Sequence, residues 1–358
     1  MTLETLGWNS FFQNQFQQSN YYNNNFTVAR VSVQYVNRYD LYSETGDVSG
    51  EITGKLRFLA EENLAALPAV GDWVVIQPFP EEQKAIIHSV LERKSQFSRK
   101  SAGTEISEQI VASNIDTVFI VTGLDQNYNL RRIERYLLAA WNSGARPIVV
   151  LNKADLCDDL TEKIAEVESI AIGVPVLAVS TITGGEIKLL QQFIKPGETF
   201  AFIGSSGVGK TSLINKLIGE DKYETGSVSI SNSKGKHTTT HRELILLPNG
   251  GLVLDTPGMR ELQLWEDESG LSTTFEDVIE LIAKCKFSNC QHQNEKGCAI
   301  NEALENQKLD ISRYNNFLKM QKELKYIERK TNKSAAAAEK EKWKKIHSDF
   351  KKHPKYNR

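Results

Sequence analysis

The segment from Gly204 to Thr211 (GSSGVGKT) constrains the fold of this 358-residue chain more than any other. It matches the pattern G-x-x-x-x-G-K-[ST], follows an apolar run at residues 200–203 and precedes a helical pattern at residues 213–218. Between a strand and a helix, such glycines let successive backbone N–H groups point at one phosphate, and the helix N-terminus adds its positive dipole end. The segment therefore predicts a phosphate-binding loop on a parallel α/β sheet.

The loop and the residue after it are predicted nucleotide contacts: Gly204, Ser205, Ser206, Gly207, Val208, Gly209, Lys210, Thr211 and Ser212. We expect Lys210 to bridge the β- and γ-phosphates as a catalytic cation, and the hydroxyl of Thr211 to ligate Mg²⁺. A second segment, DTPG, also follows an apolar run. Its Asp255 carboxylate is predicted to reach the same Mg²⁺ through water, and Gly258 to offer its N–H to the γ-phosphate.

A base-reading motif, NKAD, follows the apolar run at residues 147–151 and consists of Asn152, Lys153, Ala154 and Asp155. The Asp155 carboxylate suits the adjacent N1–H and N2–H₂ donors of guanine, which adenine lacks, so the motif selects GTP over ATP. We expect the Lys153 stem to lie along the base, Asn152 to tie this segment to the phosphate loop, and Ser180 to support the base. The three motifs together indicate a GTPase.

The order of these motifs is unusual, because Asn152 precedes Gly204. In ordinary Ras-like GTPases the phosphate loop comes first. A circular permutation builds the same parallel sheet, since only a connecting loop moves. It also places the phosphate-sensing loops directly before the C-terminal part of the chain, on which they can then act.

Hydrolysis is predicted to be slow in the isolated protein. Ras-like GTPases orient the attacking water with a glutamine, but Met259 follows DTPG here. His237, in the segment KGKHTTTHR, is the candidate that orients water in its place; the alternative is that it contacts nucleic acid or stabilises the switch. Thr239 is the candidate hydroxyl for Mg²⁺ and the γ-phosphate.

The chain on either side of these motifs predicts further domains. Short β-type runs between residues 26 and 93, including one at 50–58, predict a small barrel, either an oligonucleotide-binding (OB) barrel or an SH3-like one. From residue 116 onward apolar strands alternate with helical patterns, which indicates a parallel sheet with helices on both faces. Beyond about residue 271 the pattern is helical. The predicted fold class is therefore multi-domain α/β.

A cluster of Cys285, Cys290, His292 and Cys298 has the spacing C-x4-C-x-H-x5-C. Three thiolates and one imidazole form a closed tetrahedral set suited to one structural Zn²⁺. The alternative is a pair of buried thiols beside an unrelated histidine. Cys157 stands alone and is predicted to be a core or loop residue.

The charge of the chain is partitioned. A net charge of −2 taken alone argues against a nucleic-acid binder, but residues 319–358 hold fourteen Lys/Arg and five Asp/Glu. A basic tail beside a zinc knuckle suits contacts with an RNA backbone. The Asn/Gln-rich residues 9–25 predict a flexible leader, with a recognition arm as the alternative. No secretory signal or membrane-spanning run is evident, so we expect a cytoplasmic protein that does not bind membranes.

With these motifs in this order, the chain resembles the circularly permuted, ribosome small-subunit-dependent GTPases of the RsgA or YjeQ family. The resemblance covers roughly residues 28–325 and includes NKADL, GSSGVGKT, GKHTTT, DTPG and CKFSNCQHQNEKGC. It implies an OB-type β-barrel, a circularly permuted Ras-like GTPase domain and a C-terminal helical zinc-binding domain. With the composition, these are expected at residues 26–95, 96–270 and 271–358, the last with its basic tail, after a leader at 1–25.

The resemblance also implies a function. It implies an assembly factor of the small (30S) ribosomal subunit that contacts rRNA and whose GTPase activity is stimulated by that subunit. We therefore expect a monomeric GTPase that acts in late maturation and leaves on GTP hydrolysis. Three features depart from the family pattern: Thr211 replaces the usual serine, Thr181 replaces the usual alanine, and the leader and tail extend beyond the shared core. A nucleotide-gated RNA-binding module with incidental turnover is the alternative, and NKAD disfavours a metabolic kinase.

Overall fold

The computed structural model describes residues 1–22, 24–36, 38–100, 108–183, 186–219, 242–255, 269–293 and 295–328. The described strands are β1 (Thr27–Gln34), β2 (Tyr39–Ser43), β3 (Gly46–Ile52), β4 (Trp73–Phe79), β5 (Lys84–Val90), β6 (Gln96–Lys100), β7 (Glu108–Ser113), β8 (Thr117–Gly123), β9 (Arg146–Asn152), β10 (Val176–Ala178), β11 (Thr199–Ile203), β12 (Glu243–Leu246) and β13 (Leu252–Asp255).

The described α-helices are α1 (Ser10–Gln18), α2 (Gly54–Glu62), α3 (Leu130–Ser143), α4 (Leu160–Glu168), α5 (Ile187–Gln192), α6 (Lys210–Ile218), α7 (Ser269–Thr274), α8 (Glu276–Ala283), α9 (Ala299–Glu305) and α10, which covers residues 311–328. Within the described ranges, no helix combines the length and the apolar character that crossing a bilayer requires.

Five of the described strands close into a barrel in the order β1-β2-β3-β5-β4, with β4 returning to pair with β1. Strands β3 and β5 run parallel, and the other neighbours run antiparallel. Side chains that alternate along the strands fill the interior, among them Val31, Leu41, Ile76 and Ile87. This arrangement confirms the expected OB-type barrel.

Strand β3 ends earlier than the sequence pattern predicts. The run at residues 50–58 reads as one strand, but β3 ends at Ile52 and helix α2 begins at Gly54. Thr53 is the cause, because its side-chain oxygen accepts the N–H of Leu56 at 3.2 Å and so satisfies a free donor of the first turn. The helix then buries Leu56 and leaves Phe58 exposed.

A second group of strands forms a mostly parallel sheet in the order β10-β9-β8-β11-β13, with β12 antiparallel at one edge. The central strand β8 is buried along its whole length, as parallel strands covered on both faces are. Its alternate residues face two cores: Val118 and Ile120 pack in the core that includes α3, while Phe119 and Val121 pack in the core that includes α6. Strand β12 also pairs with β1, which joins this sheet to the barrel.

The C-terminal part of the described chain is helical, as predicted. Helices α7 to α10 are joined by apolar contacts, such as that between Phe275, which lies between α7 and α8, and Phe317 of α10, whose ring centroids lie 5.5 Å apart. These observations confirm the multi-domain α/β fold class, with a barrel, a parallel sheet covered by helices, and a helical C-terminal part.

Residues 1–22 differ from the flexible leader that their composition predicts. Helix α1 is capped by Asn9, whose side chain accepts the N–H of Phe11 at 3.0 Å. Phe12 is buried, and the ring of Trp8 lies 4.7 Å from that of Trp73 on the barrel. The abundant Asn and Gln residues mask this short apolar set, whose burial stabilises the segment on the barrel surface.

A fully buried arginine connects the leader, the barrel and the parallel sheet. Arg30 of β1 donates hydrogen bonds to the carbonyl oxygens of Leu6, Gly71 (3.2 Å) and Asn114 (3.2 Å), and to the hydroxyl of Thr199 (2.7 Å). Burial lowers the pKa of Arg30 to about 10, so the guanidinium stays charged at neutral pH. Thr199 begins β11, the strand that leads into the phosphate loop, so this contact ties the start of that strand to the barrel.

Replacement of this arginine is expected to destabilise the junction. We predict that Arg30→Ala lowers the free energy of unfolding by about 2–4 kcal/mol, because four buried acceptors lose a charged donor. Denaturant titration measures the effect. Arg38→Ala is the matched control, since Arg38 is exposed, pairs with Asp40 at 3.6 Å and lies 4.5 Å from the centroid of the Tyr35 ring, and we expect a change within about 1 kcal/mol. Equal losses of stability in the two variants would contradict the conclusion that Arg30 holds the leader, the barrel and the parallel sheet together.

Candidate nucleotide-binding site and metal centre

The carboxyl ends of four parallel strands lie at one edge of the sheet. Strands β8, β9, β11 and β13 end at Gly123, Asn152, Ile203 and Asp255, and their pairing registers hold these ends close together. Ligands of open α/β sheets bind at the carboxyl edge of the strands. The NKAD segment, the phosphate loop and DTPG all begin at this edge, although they are far apart in the sequence.

The phosphate loop is pressed against two neighbouring segments, and its glycines make this approach possible. A Cβ atom on Gly204, whose φ is +146°, would lie 2.1 Å from the carbonyl oxygen of Val121. A Cβ atom on Gly209, whose φ is +97°, would lie 2.1 Å from Nδ2 of Asn152. Both positions require glycine because any side chain would collide and the backbone is left-handed.

Lys210 begins helix α6 and turns its ammonium back over the loop. Its Nζ atom donates hydrogen bonds to the carbonyl oxygens of Gly204 (2.8 Å) and Ser205 (2.6 Å). Thr211 and Ser212 follow on the first turn, and the Thr211 side chain is exposed. This arrangement suits a phosphate chain with Mg²⁺, because the Lys210 ammonium and the N-terminus of α6 favour negative charge and the exposed Thr211 hydroxyl can ligate the metal.

The remaining residues of the phosphate loop divide into an exposed tip and a buried base. Ser206 and Gly207 are exposed at the tip of the loop, and Val208 is buried beneath it. The carbonyl oxygen of Val208 accepts a hydrogen bond of 2.7 Å from Nδ2 of Asn152, which is itself buried. The phosphate loop and the NKAD segment are therefore joined directly.

The carboxylate expected to read guanine is held by a neighbouring hydroxyl. Ser180 donates a hydrogen bond from Oγ to Asp155, and the same Oγ accepts the backbone N–H groups of Ile182 (3.3 Å) and Thr183 (3.2 Å). Asp155 is exposed, and Ala154 precedes it at the start of a short 3₁₀ turn. The structure thus brings Ser180 and Asp155 together at the edge where the nucleotide motifs meet.

Asp125 is a further residue of this site that sequence reasoning missed. Lys153 has a left-handed backbone (φ +61°), and its Nζ atom lies 2.6 Å from Oδ2 of Asp125. Partial burial opposes the ionisation of Asp125, but the bonds from Lys153 and from the backbone N–H of Asn127 outweigh it and hold its pKa below the usual value. In the sequence, Asp125 could have been recognised only by its position two residues after β8, because the nucleotide motifs also begin at the carboxyl ends of strands.

Four further predicted site residues belong to the segments that follow the phosphate loop in the sequence. Asp255 is the last residue of β13, and His237, Thr239 and Gly258 lie outside the described residues. The roles given to these four residues therefore stay predictions.

The four predicted metal ligands converge in the C-terminal helical part. The ligand atoms of Cys285, Cys290, His292 and Cys298 all lie within 4.8 Å of one another. The Sγ atoms of Cys285 and Cys298 each lie 3.5 Å from Nδ1 of His292. A tetrahedral zinc site with ordinary bond lengths has S···N edges of about 3.5 Å. The set therefore fits one structural zinc ion.

The chemistry of the donor set agrees with its geometry. Desolvation, together with the neighbouring Cys298 and Cys285 thiols, raises the pKa of Cys290 to about 11. A divalent cation among these atoms would reverse that effect, because zinc binds the thiolate form. Cys157 has no place in this cluster and lies after the NKAD segment, half-buried.

Zinc content provides a direct test of the cluster. We predict that the purified protein holds one zinc ion per chain and that Cys290→Ser lowers the stoichiometry well below one, because it removes one of four ligands. Elemental analysis after dialysis measures it. Cys157→Ser is the matched control and should keep the full zinc content. Full zinc content in Cys290→Ser would contradict the assignment of these four residues as the zinc ligands.

Comparisons with known proteins agree with this geometry. The family model described as RsgA GTPase matches residues 90–265. A model described as ABC transporter matches residues 187–345, a span that includes the phosphate loop. Among solved structures, YjeQ from Thermotoga maritima is 29% identical, has a TM-score of 0.62 and covers 84% of this chain and 98% of that chain. YloQ, a circularly permuted GTPase, has the same fold at 23% identity, with a TM-score of 0.58 over 86% of this chain and 98% of that chain.

Curated relatives match nearly the whole chain. The small ribosomal subunit biogenesis GTPase RsgA of Opitutus terrae is 46% identical over 97% of this chain and 96% of its own length. RsgA 1 of Oceanobacillus iheyensis is 45% identical over 95% of this chain and 99% of its own length. The similarity therefore extends beyond residues 28–325, into segments that were expected to lie outside the shared core. Taken with the permuted order of strands and motifs, these matches show that the chain belongs to the RsgA GTPase family.

Proposed function

We propose that the protein hydrolyses GTP and acts in the biogenesis of the small ribosomal subunit. The observation that carries the proposal is the direct bond between Asn152 and Val208, which joins a guanine-reading segment to a phosphate loop at one sheet edge. Family membership supports the same conclusion, because the curated relatives are named as GTPases of small-subunit biogenesis.

The residues of the site have separate roles in this proposal. Lys210 and the N-terminus of α6 hold the phosphates, and Thr211 ligates the Mg²⁺ that accompanies the nucleotide. Asp155 pairs with the N1–H and N2–H₂ groups of guanine, while Ser180 keeps the carboxylate in place. Asp125 anchors the Lys153 ammonium, which leaves the stem of Lys153 to lie along the base. Asp255 and Gly258 respond to the γ-phosphate.

Hydrolysis in the free protein is proposed to be slow. The residue directly after the DTPG segment is Met259 rather than a glutamine, so a further group must orient the attacking water. We assign this role to His237, with Thr239 contacting Mg²⁺ and the γ-phosphate, and propose that the small subunit stimulates turnover by ordering them.

Contacts with rRNA are assigned to the barrel, the metal centre and the basic tail. The side chains of Lys284, Lys286 and Lys296 around the metal ligands are exposed. Phe287 is 47% exposed, and the Lys286 ammonium lies 5.5 Å from its ring centroid. A cation beside an exposed aromatic ring can contact both phosphate and base of an RNA strand.

The proposed division of labour follows the predicted domains. The barrel at residues 26–95 and the zinc-binding part at 271–358 contact the subunit, and the GTPase domain at 96–270 between them controls release after hydrolysis. We propose that the protein works in the cytoplasm, away from membranes, because its proposed partner is the small ribosomal subunit. We propose that it does so as a monomer.

The decisive experiment measures GTP hydrolysis with and without purified small subunits. We expect at least about tenfold stimulation, because supplying a missing catalytic group is worth up to ~10³–10⁵ in GTPases. Lys210→Ala should lower the stimulated rate by about 10²-fold or more. Lys216→Ala, on the exposed last turn of the same helix, is the matched control and should hydrolyse normally. An unchanged rate in the presence of subunits would favour an RNA-binding module with incidental turnover.

A further inference from the structure

A second cation contacts the phosphate loop from outside the known motifs. Nη1 of Arg132 donates a hydrogen bond of 2.7 Å to Oγ of Ser205. The backbone carbonyl of the same serine accepts the bond from the Lys210 ammonium at 2.6 Å. Ser205 is therefore held from two sides, through its main chain by Lys210 and through its side chain by Arg132.

The first turn of helix α3 fixes the position of Arg132. Asn129 caps this helix, and its Oδ1 atom accepts the backbone N–H of Arg132 at 3.1 Å. The helix follows β8, which pairs directly with β11, the strand that leads into the phosphate loop. Arg132 thus extends from a capped helix start to a loop on the adjacent strand.

The residues that follow Arg132 on α3 are bound to helix α10. Arg135 and Glu323 form a bidentate pair, with N···O distances of 2.9 and 2.6 Å. Glu134 is fully buried, and its carboxylate accepts a bond of 2.8 Å from Arg313 and another from Asn316. One helix therefore carries the contact with the phosphate loop and several polar contacts with helix α10.

The α10 side of this contact is itself anchored. Arg313 is buried and donates to both carboxylate oxygens of Asp277, at 2.8 and 2.6 Å, and to the carbonyl oxygen of Thr274 at 3.0 Å. Removing one member of such a buried charged network is costly, so α3 and α10 are expected to move together.

We propose that Arg132 is a positioning residue of the phosphate loop, and that helix α3 couples this loop to helix α10 through Glu134 and Arg135. The C-terminal helical part then influences nucleotide affinity without touching the nucleotide. The coupling is reciprocal, as binding energetics require: whatever shifts α10 changes GTP affinity, and GTP binding changes the position of α10. The inference rests on the proposed GTPase function and adds a route that does not pass through the switch segments.

The first test is a double-mutant cycle between Arg132 and Ser205. We expect Arg132→Ala and Ser205→Ala each to weaken binding of a non-hydrolysable GTP analogue by about five- to tenfold, because each removes the same charge-assisted hydrogen bond. The double variant should be no weaker than either single variant. Arg146→Ala is the control: this arginine lies at the opposite edge of the sheet and pairs with Glu198 at 3.1 Å.

The second test addresses the coupling to α10. Glu323→Gln keeps the side-chain shape and, because the pair is partly exposed, should leave the protein folded with its zinc. We expect about a two- to fivefold loss of analogue affinity in the wild-type background and none in the Arg132→Ala background. Glu280→Gln, which affects only an exposed pair with Lys284, is the control.

The outcomes separate this inference from the proposed function. If the wild-type protein binds no guanine nucleotide, the proposed function fails. If it binds the analogue and Arg132→Ala binds equally well, or if the effects of the Arg132 and Ser205 substitutions simply add, the positioning role is overturned. If Glu323→Gln has no effect, or the same effect in both backgrounds, the coupling through α3 is overturned.

Discussion

The parallel pairing of β8, β9, β11 and β13 is the constraint on which the rest of the molecule depends. It places the carboxyl ends of these strands at one edge, so that segments as far apart in the sequence as Gly123 and Asp255 meet there. The constraint is spatial and does not depend on the order of the strands along the chain. A permuted chain can therefore assemble the same guanine-nucleotide site, and the 2.7 Å bond between Asn152 and Val208 closes it.

Sequence reasoning succeeded where local chemistry dictates backbone geometry. The loop glycines predicted a close backbone approach, and the structure leaves no room for a side chain at Gly204 or Gly209. The barrel and the alternating strands and helices were predictable because buried strands require apolar residues at regular intervals. The convergence of Cys285, Cys290, His292 and Cys298 followed from ligand spacing alone.

Sequence reasoning failed where a residue acts through a distant partner or where composition hides a few key side chains. Asp125 and Arg132 are ordinary charged residues in the sequence, and only the fold places them against Lys153 and Ser205. Phe12 is buried within a segment whose Asn and Gln content predicts flexibility. Thr53 ends a strand that apolar alternation alone would extend.

Three of the four buried charged side chains in the described part of the chain lie at the boundaries between its parts, and the fourth, Asp72, pairs with Arg93 within the barrel region. Arg30 lies where leader, barrel and parallel sheet meet, and Arg313 and Glu134 lie between α3 and the C-terminal helices. Such groups fix geometry, because a shift of one part would leave a buried charge without its partners. The uneven distribution of charge also explains why a net charge of −2 is compatible with an RNA partner. Acidic and basic groups are concentrated in different parts of the chain, so the overall value does not exclude a partner rich in phosphate.

The central claim is that the nucleotide bound at this sheet edge controls association with the small ribosomal subunit. The most direct measurement is co-sedimentation of the protein with purified small subunits, in the presence of either a non-hydrolysable GTP analogue or GDP. We predict retention with the analogue and release with GDP. Equal retention with both nucleotides, or no retention with either, would contradict the account.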